Sequence, residues 1–237
     1  MNILARPWEH TLSIAVEDNN AKEKLETEIV IYSKVGEPAR LEECKSKEHH
    51  IQLEAKFENG TRSRVRKVTK DGKTEFLFTF KVPTKPDERT GLDSNIEHTV
   101  EVDEDFFNGF APVASRRLVK TRYNFASENV TLKLGTGDDA RDIVIPNIEY
   151  EVDIYTKSDG SVSEWCKIDV EVDNILNYID SNHKEVGDIS LQLKVSHLPF
   201  APSNSILSFN ATDENRIKID AIWKEFSQEI TGGVYSR

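Results

Sequence analysis

Between about residues 26 and 195, apolar and polar positions alternate with a period of two, the pattern of strands that bury one face. The pattern predicts strands at Glu26 to Lys34, His50 to Glu58, Arg62 to Val68, Thr74 to Val82 and Ile96 to Val102. It continues through Arg117 to Phe125, Asn129 to Leu134, Ile143 to Thr156 with a break at Pro146, Glu164 to Val172 and Ile189 to Val195. Asn59-Gly60 and Asp71-Gly72 suit hairpin turns that need positive φ, so His50 to Val82 reads as a three-stranded meander. Helices are expected at Glu37 to Lys47, Asn174 to Asn182 and Ile217 to Glu229, where Ile219, Ile222, Trp223 and Phe226 share a face. Pro199 and Pro202 make Ser196 to Asp213 an extended crossing or loop.

Alternate side chains of a strand point to opposite faces, so the parity of charged positions says which charges share a side. Glu54 and Lys56 oppose Leu53, Ala55 and Phe57, while Arg62, Arg64 and Arg66 form a row on the next strand. Thr79 and Lys81 alternate with Phe78, Phe80 and Val82, and Lys120 and Arg122 with Val119, Thr121 and Tyr123. The acidic strands obey the same rule: Glu149, Glu151 and Asp153 oppose Tyr150, Val152 and Ile154, and Asp169, Glu171 and Asp173 oppose Ile168, Val170 and Val172. On one strand, a charged stripe is best read as the wet face of an ordinary antiparallel sheet. Repeated over six or seven strands, it favours an antiparallel β-barrel with a charged interior and an apolar outer wall covered by helices.

Composition narrows the setting. With 31% charged and 37% hydrophobic residues in 237, the chain reads as one soluble domain, residues 1–237, with a core at about 26–195 and an extension at 196–237. The net charge of −11 speaks against general duplex nucleic-acid binding. No apolar run suits a signal peptide or membrane span, and Cys44 and Cys166 have no metal-ligand spacing, so reduced thiols and a cytoplasmic location with no membrane partner are expected. The six histidines show no metal-ligand spacing, there is no glycine-rich phosphate loop or serine elbow, and Trp8, Trp165 and Trp223 read as isolated packing residues.

Five segments, in order over about residues 26 to 173, carry a resemblance: Arg64-Val65-Arg66, Phe78-Thr79-Phe80-Lys81, Lys120-Thr121-Arg122-Tyr123, the strand ending at Tyr155 and the segment ending at Asp173. In them the chain resembles the CYTH proteins of the triphosphate tunnel metalloenzyme superfamily. The resemblance implies a mainly β (α+β) fold, an eight-stranded antiparallel tunnel in which basic residues grip a triphosphate and carboxylates hold Mg²⁺ or Mn²⁺. The family's first strand carries two glutamates and a lysine at alternating positions, and two segments compete for that place. Glu26 and Glu28 have Val30 at the lysine position, whereas Gln52, Glu54 and Lys56 keep the lysine and lose the first glutamate. Glu26 and Glu28 are preferred, with Lys56 entering from the next strand. Residues from Ile189 to Arg237 have no part in the resemblance.

Guanidinium forks and ammonium groups suit phosphate oxygens, so Lys56, Arg64, Arg66, Lys81, Lys120 and Arg122 are the expected substrate-binding set. Hard divalent cations take carboxylate oxygens, which makes Glu26, Glu28, Glu151, Asp153, Asp169 and Glu171 candidate ligands, with Glu28 or Glu171 orienting water. The expected activity is a metal-dependent triphosphatase acting on inorganic triphosphate, a nucleoside triphosphate or an RNA 5′-triphosphate end. The alternatives are a non-catalytic nucleotide or polyphosphate binding module, an adenylate cyclase-like activity, and a purely structural salt-bridge lattice of the opposed charges.

Overall fold

The computed structural model describes residues 22–35, 38–57, 61–83, 94–134, 141–172, 206–207, 212–228 and 230. The fold is mainly β. Its strands are β1 (Lys22–Lys34), β2 (Ser46–Lys56), β3 (Arg62–Lys70), β4 (Lys73–Pro83), β5 (Ser94–Val102), β6 (Arg116–Leu134), β7 (Arg141–Thr156), β8 (Val162–Val172), β9 (Ile206–Leu207) and β10 (Ser227–Gln228). Two α-helices among the described residues, α1 (Glu104–Phe110) and α2 (Asp213–Phe226), accompany 3-10 turns at Pro38–Glu43 and Ala111–Val113. Among the described residues, no helix is long and apolar enough to cross a membrane.

The strands belong to one sheet, in the order β10-β6-β2-β3-β4-β5-β1-β8-β7, with β9 on β1 and a further pairing of β7 with β6. Every pairing is antiparallel. The β3–β4 hairpin turns through Asp71 and Gly72 at φ 50° and 75°, left-handed values that Asp tolerates and Gly adopts freely. The other expected hairpin turn, Asn59-Gly60, lies outside the described residues, as do the expected helix at 174–182, the strand at 189–195 and all but residues 206–207 and 212–213 of the expected crossing at 196–213.

Three expectations about elements change. The segment read as a helix from Glu37 to Lys47 is a short 3-10 helix, Pro38–Glu43, because β2 starts at Ser46 and carries the alternation on from there. The two strands expected either side of Ala126 are one strand of nineteen residues, held through its polar middle by the sixteen-residue β7. Pro146 does not break β7: it is exposed and lies beyond Ile148, the last residue of β7 with a β8 partner, so its missing N–H removes no β8 ladder bond.

Three apolar clusters hold the sheet. One gathers Ile31, Ile148, Val152, Ile168 and Val170 on β1, β7 and β8, all buried to within about 1%. The second gathers Leu53, Val65, Phe78, Phe80 and Val100 on β2 to β5, under Phe106, Phe107 and Phe110 of α1. Helix α1 starts at Asp103, whose carboxylate accepts from the Phe106 N–H at 2.8 Å, and its three phenylalanines cover the apolar face of the strands as expected of an outer helix. The third cluster is different: Ile222 and Phe226 of α2 pack on Tyr32, Leu118 and Tyr155. These three residues stand on the opposite, charge-bearing face, in register with Lys167, Gln52 and Lys120 respectively. The expectation that helices cover only the outer wall therefore fails for α2. The helix lies on the charge-bearing face because three bulky apolar side chains there give its own stripe somewhere to bury.

Candidate functional site

Residues directly opposite in an antiparallel ladder share a face, so register alone tests the parity argument. Across β2, β3, β4 and β5 the row Glu54–Arg64–Thr79–Thr99 runs beside Lys56–Arg62–Lys81–Glu97. Across β2, β6, β7 and β8 the row Glu48–Arg122–Asp153–Lys167 runs beside Ser46–Asn124–Glu151–Asp169. Glu28 on β1 opposes Glu171 on β8, which opposes Glu149 on β7, and Glu26 opposes Asn95. Every sequence-expected site residue thus falls on one face of the sheet. Their exposures differ: Arg66, Lys81, Lys120, Arg122, Asp153 and Asp169 are buried, Arg64, Glu151 and Glu171 are half-buried, and Lys56 is exposed at the end of β2.

The charges on this face are sorted into local networks. Asp153, fully buried, accepts from Arg122 Nε and Nη2 at 2.8 Å each and from Lys120 Nζ. Arg122 also meets Glu151. Burial alone would raise the Asp153 pKa, but Arg122 and Lys120 outweigh it and hold the carboxyl far below its usual range. Lys120 is pushed down by burial and by Arg122, against the pull of Asp153, whereas Arg122 stays well above its ordinary value despite burial, because Asp153 and Glu151 flank it. Lys120 and Arg122, expected to grip phosphate, are therefore neutralised within the protein. Asp153 spends its oxygens on them, and Asp169 meets Lys167 at 2.5 Å. Among the described residues, no three acidic, histidine or cysteine side chains converge on a common metal position.

A second network centres on Glu97, which receives Arg64 at 3.1 Å and Lys81 at 2.7 Å. Glu54 accepts from Arg116 Nε at 2.8 Å and from Gln52. Burial would raise the Glu54 pKa, but the Arg116 charge and hydrogen bond hold it below its usual value.

Arg66 stands apart. It is 9% exposed, and among the described residues its guanidinium hydrogen-bonds only the Thr79 hydroxyl, at 3.0 Å, with Nε buried and without a partner. Among the described residues, no carboxylate pairs with it directly. Burial, reinforced by the charges of Arg64 and Arg122 and opposed by Glu97 and Glu151, pulls its pKa down to about 9, which leaves it cationic at neutral pH. Those four neighbours come from β3, β6, β5 and β7, so the guanidinium senses groups on strands that are not adjacent to its own.

His50 belongs to no multi-histidine spacing and is therefore not among the sequence-expected site residues. Its signal was parity: Glu48, His50, Gln52 and Glu54 alternate on one face of β2. His50 is 2% exposed and its Nε2 lies 3.0 Å from Glu48, whose other oxygen receives Lys70 at 3.1 Å and Asn124 at 3.2 Å. The tryptophans also differ from expectation. Trp165 and Trp223 meet around the α2 cluster, Trp223 donates to the Tyr32 hydroxyl at 2.8 Å, and the Arg116 guanidinium lies 4.5 Å over the Trp223 ring. Both pack, but neither is isolated, because α2 carries Trp223 onto the charged face. Trp8 lies outside the described residues. Cys44 and Cys166 are both free thiols, and burial pushes that of Cys166 up to about 12.

No family model matches the chain, and no curated protein matches it. Among solved structures, the PH1819 protein of Pyrococcus horikoshii is similar with a TM-score of 0.44 and 15% identity, over 81% of this chain and 99% of that one. A conserved hypothetical protein from Pyrococcus furiosus gives 0.44 and 14%, over 80% and 94%. The PH1012 protein of Pyrococcus horikoshii gives 0.41 and 16%, over 79% and 93%. At these scores the likenesses assign neither family nor function.

Proposed function

We propose that the charged face lines an eight-stranded tunnel that binds a triphosphate-bearing ligand and, with a divalent metal, hydrolyses its terminal phosphoanhydride. Supporting the tunnel, β6 has a partner on each side, β2 and β7, so the pairings from β6 through β2, β3, β4, β5, β1, β8 and β7 lead back to β6. The observation that carries the ligand class is Arg66, a buried cation that among the described residues has a hydroxyl but no carboxylate hydrogen-bonded to it. A phosphate oxygen is the counter-charge it lacks, and a guanidinium offers further N–H donors in a planar fork suited to it. Arg64 is its same-face neighbour along β3, and Lys81, opposite Arg62, stands on the far side of Arg64; both meet Glu97.

Of the carboxylates, Glu28 and Glu171 suit the metal best. In register, Glu28 on β1, Glu171 on β8 and Glu149 on β7 occupy directly opposing positions, a row of carboxylate residues of the hard-donor type a divalent cation takes. A metal there would supply Lewis-acid neutralisation of phosphate charge. The chain's own part is to hold the anion through Arg66, Arg64 and Lys81 and to keep Arg122 oriented through Asp153.

A second reading, a non-catalytic binding module, is favoured by the same ion pairs, because carboxylates already paired with lysine and arginine are less available to a metal. Calorimetry with inorganic tripolyphosphate, with and without Mg²⁺ or Mn²⁺, tests the shared anion site. Phosphate release from tripolyphosphate, a nucleoside triphosphate and a triphosphorylated RNA separates the two readings. Tight binding without turnover selects the binding module, and no binding to any of the three discards both.

A further inference from the structure

The donor-rich face holds one buried nitrogen with the opposite capability. Glu48 is fixed by Lys70 from β3 and Asn124 from β6, and it in turn takes the Nε2 end of the His50 imidazole. A carboxylate accepts, so Nε2 carries the proton and Nδ1 is left with its lone pair. Nδ1 is buried and has no partner among the described residues. His50 stands opposite Lys120 on β6 and Val68 on β3, one inner-face position along β2 from Gln52, which opposes Arg66. Phosphate oxygens, being acceptors, satisfy the arginines and lysines around it and offer nothing to Nδ1. A water or hydroxyl does.

We propose that His50 is the general base of this site, positioned by Glu48, and that its Nδ1 takes the proton of the water that attacks the terminal phosphorus. The inference rests on the triphosphatase reading above. In the step, the water oxygen bonds to phosphorus and the bridging P–O bond breaks. The electron pair of that bond leaves on the departing diphosphate, and the water proton passes to Nδ1 and then to solvent.

The surroundings prepare this role. Lys120 and Arg122 on β6 repel a charged imidazole, Glu48 on β2 and Asp153 on β7 favour it, and burial is the largest influence. The net effect lowers the His50 pKa to about 4, so the ring is neutral over the whole physiological range and, without ligand, a weak base. A bound polyanion adds negative charge beside it and offsets Lys120 and Arg122, which raises its basicity when substrate is present.

The test is phosphate release from tripolyphosphate with Mn²⁺ across about pH 4 to 9, for the parent, H50Q and E48Q, alongside calorimetric affinity for tripolyphosphate. A general base contributes roughly 100- to 10,000-fold, so H50Q should lose that much in kcat while its affinity stays within about threefold. In the parent, the acid limb of kcat should lie at higher pH than that of kcat/KM, because substrate raises the base's pKa, and H50Q should lose the limb. If H50Q does not fold, E48Q carries the test. With the ring no longer anchored, turnover should fall at least tenfold and the acid limb should move, with affinity unchanged. Parent-like turnover and pH profile in either folded variant overturns the role of His50 and leaves the triphosphatase reading standing. A parent that binds tripolyphosphate but never turns it over also removes His50 as a base, this time together with the hydrolase, while the anion site survives. A parent that does not bind removes all three.

Discussion

Replacing Arg66 by methionine separates a ligand-binding guanidinium from a structural one, because the two roles predict opposite signs. The side chain sits at 9% exposure, and its pKa falls from 12.5 to about 9. At ~1.4 kcal/mol per pH unit, the folded protein bears a cost of at most about 5 kcal/mol for keeping this cation buried. Methionine fills similar volume without charge. It forfeits one hydrogen bond, worth about 1 kcal/mol, but the Thr79 hydroxyl keeps its 3.0 Å contact with Thr99 and is not orphaned. The net expectation is a gain of about 1–4 kcal/mol, the range found when buried charges give way to apolar groups of like size. For a chain of this length that raises Tm by roughly 2–4 °C per kcal/mol, measurable by calorimetry or circular dichroism. Affinity for tripolyphosphate should move the other way: a lost charge-assisted hydrogen bond of about 1.5–3 kcal/mol weakens Kd by roughly 10- to 150-fold. A variant that is less stable than the parent and binds tripolyphosphate equally well would falsify this reasoning and make Arg66 part of a structural lattice.

Asp153→Asn should cost about 3–5 kcal/mol in urea unfolding, since it leaves Lys120 and Arg122 buried with one less counter-charge; a loss below about 1 kcal/mol would mean the pair contributes nothing. Phe226→Ala removes a fully buried ring stacked on Tyr155 at 3.8 Å and should cost about 3–5 kcal/mol, with a drop in near-ultraviolet circular dichroism from the Tyr155 and Trp223 cluster. For His50, the unfolded chain binds its proton below about 6.5 and the folded protein only below about 4, so stability falls as pH drops through that window. Urea titrations of the parent and H50Q should show the difference between them changing by at most about 3 kcal/mol between pH 7 and pH 4, and a constant difference refutes the buried neutral ring.

The common face of the charges was legible because parity in a strand survives ignorance of which strand lies beside which. Arg64, Arg66 and Asp153 could be placed on a side from their own strands alone. What each touches could not be read, since the meeting of Asp153 with Arg122 depends on the β6–β7 register between residues 31 positions apart. Helix α1 escaped notice because seven residues with Phe106 and Phe107 adjacent give no helical period to detect. The apolar stripe of α2 announced a buried face without saying against what. Its seat, Tyr32, Leu118 and Tyr155, is assembled from β1, β6 and β7 only once the topology exists.

That seat has a consequence for traffic. Trp223 and Phe226 are lodged at the Tyr155 level of the charge-bearing face, so if that face lines a tunnel as proposed, the tunnel is closed on the side of α2. In that proposed tunnel a ligand would enter head first and its products would leave by the door it used. Such a chamber reads the end of a phosphate chain and cannot be threaded by the middle of one, so on long polyphosphate it would trim from the terminus, releasing short products from the first turnover without fragmenting the chain.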